Sequence, residues 1–422
     1  MTQGEGRKRQ AGEVGLTILV VLLLHGLFWA FSDLDWNSPN PYNSYSKQCV
    51  AWLQGRLDLG QDYPWLELAV YQGKYYVSFP PFPSYVLLPF AAIWGENTPD
   101  GLVALLSVAV GTGYAWAIGT RCSLPVFQRM FLPVFLYGGT GVWQITVDGS
   151  VWFLAQNFAL TLTLMSFYYG LQGRRGTAVF CLACAVGCRP FQLLYLPLVG
   201  YLLWKRLGEV PGRQRLRQLL WDRWWVYLPG LLLGISYMAL NVLRFGDPFE
   251  FGHNYLPEFV HSSEGQFSLS YVGQNVSSLF RLPTWNRETG VVEFPYFNGM
   301  HIFLSFPIVL WYLYRLAAVG RGWLSPMAGG RALHLMAGCL LLVHLFCILC
   351  HKTMGGYHFG NRYLADLLPC LFLSLAALPQ SQLSRKGELF QISEGVFLQG
   401  LFLVGLLLNF CGVLVYYGTW EL

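Results

Sequence analysis

The run LTILVVLLLHGLFWAF, Leu16–Phe31, carries no charged side chain and passes at once into SDLD, Ser32–Asp35. Asp33 and Asp35 open a polar, aromatic stretch that reaches Tyr85 before apolar sequence resumes. With its upstream flank the run is long enough to cross a bilayer, which takes roughly 20 apolar residues as a helix. No small-x-small cleavage site follows it, and Trp29, Phe31 and Trp36 stand where one would lie. The run is therefore read as a retained first span and not as a cleavable leader.

Similar runs recur at Gly101–Gly119, Met130–Thr146, Val151–Gly170, Trp225–Leu243, Met300–Val319, Leu333–Cys350, Tyr363–Leu378 and Val396–Tyr417. The 422-residue chain is 54% hydrophobic and 12% charged, with a mean hydropathy of +0.41. Such a composition defines an all-α polytopic membrane protein. A net charge of +5 leaves no nucleic-acid footprint.

Lys and Arg set the expected orientation. Arg7, Lys8 and Arg9 precede the first span, so the N-terminus is expected in the cytoplasm and Ser32–Tyr85 outside. Lys205–Arg223, Arg315–Arg331 and Arg385-Lys386 belong on the inner side. Two segments decide where Arg121, Arg174 and Arg175 fall. Those arginines are inside if Pro81–Trp94 turns back and Gly176–Trp204, broken at Arg189-Pro190, enters and returns as a helical hairpin. That reading is preferred, and it leaves outer loops at Ser32–Tyr85, Val147–Ser150, Gly246–Gly299 and His351–Asn361.

Cys181, Cys184 and Cys188 share one face of an apolar helix and read as small packing residues. The haem-attachment-like Cys347–His351 lies at the end of a span, where a covalently held haem has little room. In the first outer loop, Val50, Leu53 and Leu57 with Cys49 and Trp52 oppose Lys47, Gln48, Gln54 and Arg56. This pattern predicts an amphipathic helix on the membrane surface. Leu68–Tyr71 and Lys74–Val77 flank Gln72-Gly73 as a small hairpin, and Pro80-Pro81-Phe82-Pro83 returns the chain to the bilayer.

A first span, an acidic outer loop with juxtamembrane helices, a Pro-Pro re-entry and many later spans together resemble the GT-C superfamily of integral-membrane glycosyltransferases. That layout is shared with the protein O-mannosyltransferases and aminoarabinose transferases. The resemblance extends over Gly141–Ser150, Gly176–Pro190, Arg244–Gly252 and the run GGYHFGNRYL, Gly355–Leu364. It implies a helical bundle of about 11–12 membrane segments in one domain, residues 1–422. Within it lie the span 16–31, a structured outer loop 32–85, core spans 86–245, a second large outer loop 246–299, and C-terminal spans 300–422. It further implies an enzyme of the cell membrane with its site on the outer face. There it would move a hexosyl or pentosyl group from a polyprenyl-phosphate donor to a hydroxyl of a glycan, lipid or protein acceptor, by single displacement with inversion. No cofactor is called for; a divalent metal is compatible with such chemistry, but no metal-ligand pattern indicates one. A lipid-linked sugar flippase and a polysaccharide polymerase or ligase are the alternatives.

Such chemistry needs a carboxylate base and a fixed cation for the departing phosphate. The family's acidic pair after the first span is matched by Asp33-Leu34-Asp35. Asp35 is the expected base with Asp33 its competitor, against a solvated helix end for both. Asp148 is a candidate for sugar hydroxyls or a turn residue. Arg362 is either a phosphate clamp or the i, i+4 partner of Asp366. Arg189, a charge inside an apolar segment, is costly there and reads as functional. Lys74, Tyr75, His253 and His358 complete the candidate substrate contacts, while His25, His334 and His344 read as core histidines.

Overall fold

The computed structural model describes residues 3–321, 330–378 and 385–418. Helix α1, Gln3–Phe31, leads into the loop expected on the outer side, which holds α2, Ser44–Leu53, and an antiparallel hairpin of β1, Leu68–Tyr71, and β2, Lys74–Val77. Gln72 and Gly73 both take positive φ, 50° and 72°, as a two-residue hairpin turn matched to strand twist demands. The anticipated hairpin is present with Tyr71 opposite Lys74.

Helix α2 differs from its expected role. Its buried face is Ser44, Tyr45, Ser46, Gln48, Cys49 and Ala51, while Leu53 is 54% exposed. Gln48 is drawn inward because its amide oxygen accepts the Ser84 hydroxyl at 2.7 Å. A satisfied polar contact with the next helix thus outweighs the apolar stripe, and α2 packs on protein. That next helix, α3, Phe82–Trp94, runs back along α2. Its first turn meets α2 at Ser84, and just beyond its end Glu96 pairs with Lys47 at 2.5 Å. Pro81–Trp94 therefore turns back, and only α4, Asp100–Arg121, crosses the bundle.

From there α5, Val126–Gly138, and the short α6, Trp143–Val147, return to the outer end, and α7, Val151–Gln172, descends again. Helices α8, Arg175–Val186, and α9, Leu196–Lys205, form the anticipated hairpin around a break at Gly187–Tyr195. The end of α9 comes back to the end of α7, since Arg206 Nε donates to the Leu171 carbonyl at 2.7 Å. An amphipathic α10, Gly212–Leu220, precedes α11, Leu228–Phe245. The second outer loop holds α12, Pro257–Val260, α13, Val272–Ser278, and a two-residue ribbon of β3, Thr284–Trp285, and β4, Val292–Glu293. Helices α14, Ile302–Ser305, α15, Ile308–Gly320, α16, Gly330–Leu349, α17, Leu368–Ala377, and α18, Arg385–Tyr416, complete the bundle.

Six described helical stretches are long and apolar enough to span a membrane. The other membrane segments are broken, by Gly139–Val142 between α5 and α6, by Phe306-Pro307 between α14 and α15, and by the 3-10 turn Arg362–Leu367 before α17. Arg315, expected in an inner basic loop, is instead 1% exposed on α15 and pairs with Glu394 of α18 at 3.0 Å. Arg331 and Arg385-Lys386 have side chains outside the described residues.

The core sits where α4, α5 and α7 meet. A Cβ on Gly111 of α4 would stand 2.0 Å from the Tyr137 hydroxyl and 2.6 Å from Thr161 Oγ1, so only glycine lets these helices close. Gly111→Val is expected to lower stability by about 1–3 kcal/mol through overpacking. The check is the thermal midpoint of detergent-purified protein, with Gly113→Val, at a position with only Ile18 in reach, as the mild comparison.

Candidate active site

A cavity of about 320 Å³ lies at the end of the bundle that carries the 32–85 loop, under that loop and against the 246–299 loop. Its deep wall is the α8–α9 break and the turn that opens the α17 segment. Gly187 ends α8, and Arg189 is extended at φ −142°, ψ 106° ahead of Pro190, as a residue before proline prefers. That swings its guanidinium onto Asp366, with Nε and Nη2 each 2.9 Å from Oδ2. The Asp366 side chain is 1% exposed, and Gln156 Nε2 reaches its other oxygen at 3.4 Å.

The alternative i, i+4 pair of Arg362 and Asp366 does not form. Residues Arg362–Leu367 wind as a 3-10 turn, whose three residues per turn put the two side chains on different faces. Asp366 is left to Arg189, and Arg362 is left without a carboxylate in ion-pair contact among the described residues. Arg362 is 7% exposed, lines the cavity, and lies 5.2 Å from the Tyr363 ring and 5.6 Å from the Phe153 ring. Its Nε has no hydrogen-bond partner. Gly355, at φ +114°, passes so close that a Cβ there would sit 3.0 Å from that Nε.

Three carboxylates that were not among the candidates reach the cavity: Glu67, Glu250 and Glu258, of which Glu250 is taken up by the Gly252 N–H and Asn254 Nδ2, each at 2.5 Å. Glu67 precedes the hairpin, and its Oε2 accepts the Trp152 indole N–H at 2.9 Å. The field of Glu67 reaches Arg362. Glu258, on α12, also lines the cavity, and burial beside Glu67 raises its pKa. Their nearest sequence signal was position: Glu67 lies just ahead of the predicted hairpin, and Glu258 follows Pro257 in the large second loop.

Of the anticipated residues, Arg189, His253 and Arg362 line the cavity. Asp366 acts behind it through Arg189. His358, fully buried on the Gly355–Gly360 loop, feels the Arg362 charge, which together with burial lowers its pKa to about 3. His253 donates from Nδ1 to the Ser78 carbonyl at 2.6 Å, and burial lowers it to about 3. His351, which also lines the cavity, is lowered to about 4 for the same reason.

The remaining candidates lie elsewhere. Asp33 and Asp35 are exposed and outside the lining. Asp35 accepts the Asn37 N–H at 2.9 Å and the Ser38 hydroxyl, and these bonds lower its pKa. It is spent on closing a turn. Asp148 is 8% exposed, held by Asn40 Nδ2 at 2.7 Å, the Ser150 N–H at 2.7 Å and the Tyr417 hydroxyl at 2.5 Å, with its pKa raised by burial. It ties the first outer loop to the end of α18. Lys74 points to solvent at 3.7 Å from Asp58, and Tyr75 packs within the first outer loop.

No family model matches the chain, and no curated protein does. Among solved structures, the Archaeoglobus fulgidus oligosaccharyltransferase tethered to an acceptor peptide containing the NVT sequon matches with a TM-score of 0.50 at 12% identity. The match covers 95% of this chain and 55% of that one. ArnT from Cupriavidus metallidurans bound to undecaprenyl phosphate is similar at a TM-score of 0.48 and 14% identity, over 97% of this chain and 76% of that one. The chain thus shares the fold of the archaeal oligosaccharyltransferase.

Two outcomes follow from this geometry. Asp366→Asn leaves the half-buried Arg189 without its counter-charge and is expected to cost about 1–3 kcal/mol, whereas Arg189→Met with Asp366→Leu costs less than Asp366→Asn alone; thermal midpoints of the variants report this. The three histidines near Arg362 take up protons from about pH 6.5 downward when unfolded but only near 3–4 when folded. Stability is therefore expected to fall as pH drops below 6.5, with a shallower slope of melting temperature against pH in His253→Asn.

Proposed function

We propose that this protein transfers a sugar from a polyprenyl-phosphate-linked donor to an acceptor hydroxyl at the outer membrane surface. The observation that carries the proposal is Arg362: a buried guanidinium without a carboxylate partner, opening on a cavity between two outer loops. An uncompensated buried cation is costly, and an anionic ligand group offsets that cost. Arg189, already neutralised by Asp366, sits beside it to orient that group and adds little net charge.

In this reading the donor's phosphate rests on Arg362 and its sugar lies under Phe79 and Trp152. Glu67, steadied through one oxygen by the Trp152 indole, takes the acceptor's proton with the other. The acceptor oxygen bonds to the anomeric carbon as that carbon's bond to the phosphate oxygen breaks, and the polyprenyl phosphate leaves with the bonding electrons toward Arg362. One displacement inverts the anomeric centre. Glu67 takes the role expected of Asp35 and Asp33, because it alone of the three lines the cavity. Glu258 is placed to hold sugar or acceptor hydroxyls, and no step runs through a metal. The fold likeness to the oligosaccharyltransferase supports the reading.

The test is sugar transfer in proteoliposomes from a radiolabelled polyprenyl-phosphate sugar. Glu67→Gln is expected to lower kcat by about 10²–10⁴-fold, and Arg362→Gln by at least about 10²-fold with donor affinity also weakened. Full transfer by Glu67→Gln would remove that residue as the base. Passage of intact donor across the bilayer with no transfer by the wild type would replace the enzyme by a flippase.

A further inference from the structure

The opposite end of the bundle holds a second concavity that sugar transfer does not use. Helix α7 rises to the cavity at Trp152 and ends at Gln172, a run of 22 residues, or about 33 Å at 1.5 Å per residue. A groove of about 560 Å³ begins just past that end. One wall is Gly173–Thr177, the turn into α8; the other is Arg223 and Val226, the turn into α11. The walls touch at Gly176, where a Cβ would stand 2.5 Å from the Val226 carbonyl oxygen.

Arg174, Arg175 and Arg223 all line this groove, and no acidic side chain does. Arg175 is committed to structure, since its Nη1 donates to the Asp222 carbonyl at 3.0 Å and to that of Gln218, fixing the end of α10. Arg174 and Arg223 have no carboxylate partner among the described residues. Arg174 lies 5.8 Å from the Tyr169 ring, which orients its charge without neutralising it. Phe180, Val226 and Pro229 make the groove's flank apolar.

The depth of the groove is marked independently. Trp221, Trp224 and Trp225, beside Arg223, are 71%, 54% and 56% exposed. Exposed tryptophans flanking a span settle at headgroup level. Helix α10, GRQRLRQLL, places exposed Leu216 and Leu220 among Arg213, Arg215 and Arg217, the pattern of a helix lying in a membrane surface.

We propose that this groove binds the headgroup of an anionic phospholipid, with Arg174 and Arg223 on the phosphodiester and the acyl chains leaving past Phe180. Net charge decides the class: two unpaired guanidinium groups at headgroup depth favour an anionic lipid over a zwitterionic one. The proposal does not rest on the outer cavity or on its chemistry.

The test uses the full chain in nanodiscs of phosphatidylcholine with a minor share of phosphatidylglycerol, followed by native mass spectrometry of retained lipid. Wild type is expected to retain phosphatidylglycerol well above its share, and Arg174→Gln with Arg223→Gln to lower that enrichment by about tenfold. Arg7→Gln with Arg121→Gln, exposed arginines outside the groove, is expected to leave it unchanged. Retention in proportion to composition overturns the proposal, and so does an equal loss in the second pair, which would make the effect diffuse surface charge. Displacement of the lipid by millimolar inorganic phosphate alone overturns the lipid assignment. If the double variant does not fold, the wild-type enrichment and the single variant Arg174→Gln decide.

Discussion

Asp366 accepts a hydrogen bond of 2.9 Å from Arg189 Nε and stands in ion-pair contact with its Nη2 at the same distance, and the arrangement of this end of the bundle depends on that pair. The two residues come from chain breaks in different helices, the one after Gly187 and the 3-10 turn at Arg362–Leu367. Broken helices at membrane depth leave backbone groups without partners, and these persist only where protein supplies the missing bonds. Here the breaks supply one another. Tyr195, at the end of the first break, donates its hydroxyl to the Asp366 carbonyl at 3.0 Å, and Gln156 of α7 donates to the Arg362 carbonyl at 3.1 Å. His344 of α16 bonds the same Tyr195 hydroxyl at 3.0 Å. Pairing Asp366 with one arginine is also what leaves the other free for an anion.

The cavity's charges are graded by depth as a result. Arginines form the inner wall, one balanced and one not, and the carboxylates Glu67, Glu250 and Glu258 come from the two long loops, 32–85 and 246–299. The histidines between them are held neutral by burial and by the arginines' field.

Much of the architecture was legible because hydrophobic length is written directly in sequence. The first span, the outer hairpin at Gln72-Gly73, the return of Pro81–Trp94 and the Arg189-Pro190 break all followed from apolar runs, turn residues and arginine placement. Helix α2 was misread because a stripe of Val50, Leu53 and Leu57 says which face is apolar, not which face has a polar partner; Gln48 is buried by Ser84, far away in sequence. The carboxylates were harder. Asp33 and Asp35 stood out by their closeness to the first span, yet Ser38 and Asn37 had already claimed Asp35 in a local turn. Glu67 carries no local mark, since its place at the cavity is fixed by Trp152, contributed by another helix. For Arg362 the reading left a phosphate clamp and an Asp366 pair open; the pair does not form, because i, i+4 spacing presumes an α-helix and Gly355–Asn361 delivers the chain into a 3-10 turn.

The stretch Val77–Phe82 joins the roof of the cavity to its floor. The Val77 carbonyl accepts from Arg244 at 3.0 Å, the Ser78 carbonyl from His253 at 2.6 Å, and the Phe82 N–H donates to the Gly187 carbonyl at 2.9 Å. These bonds fasten a single strap to α11, to the second outer loop and to the α8 break. The roof therefore has no independent hinge at this edge. Lifting it either severs all three attachments together or drags the backbone beside Arg189 along with it, so access from above and the alignment of the arginine wall are mechanically one variable.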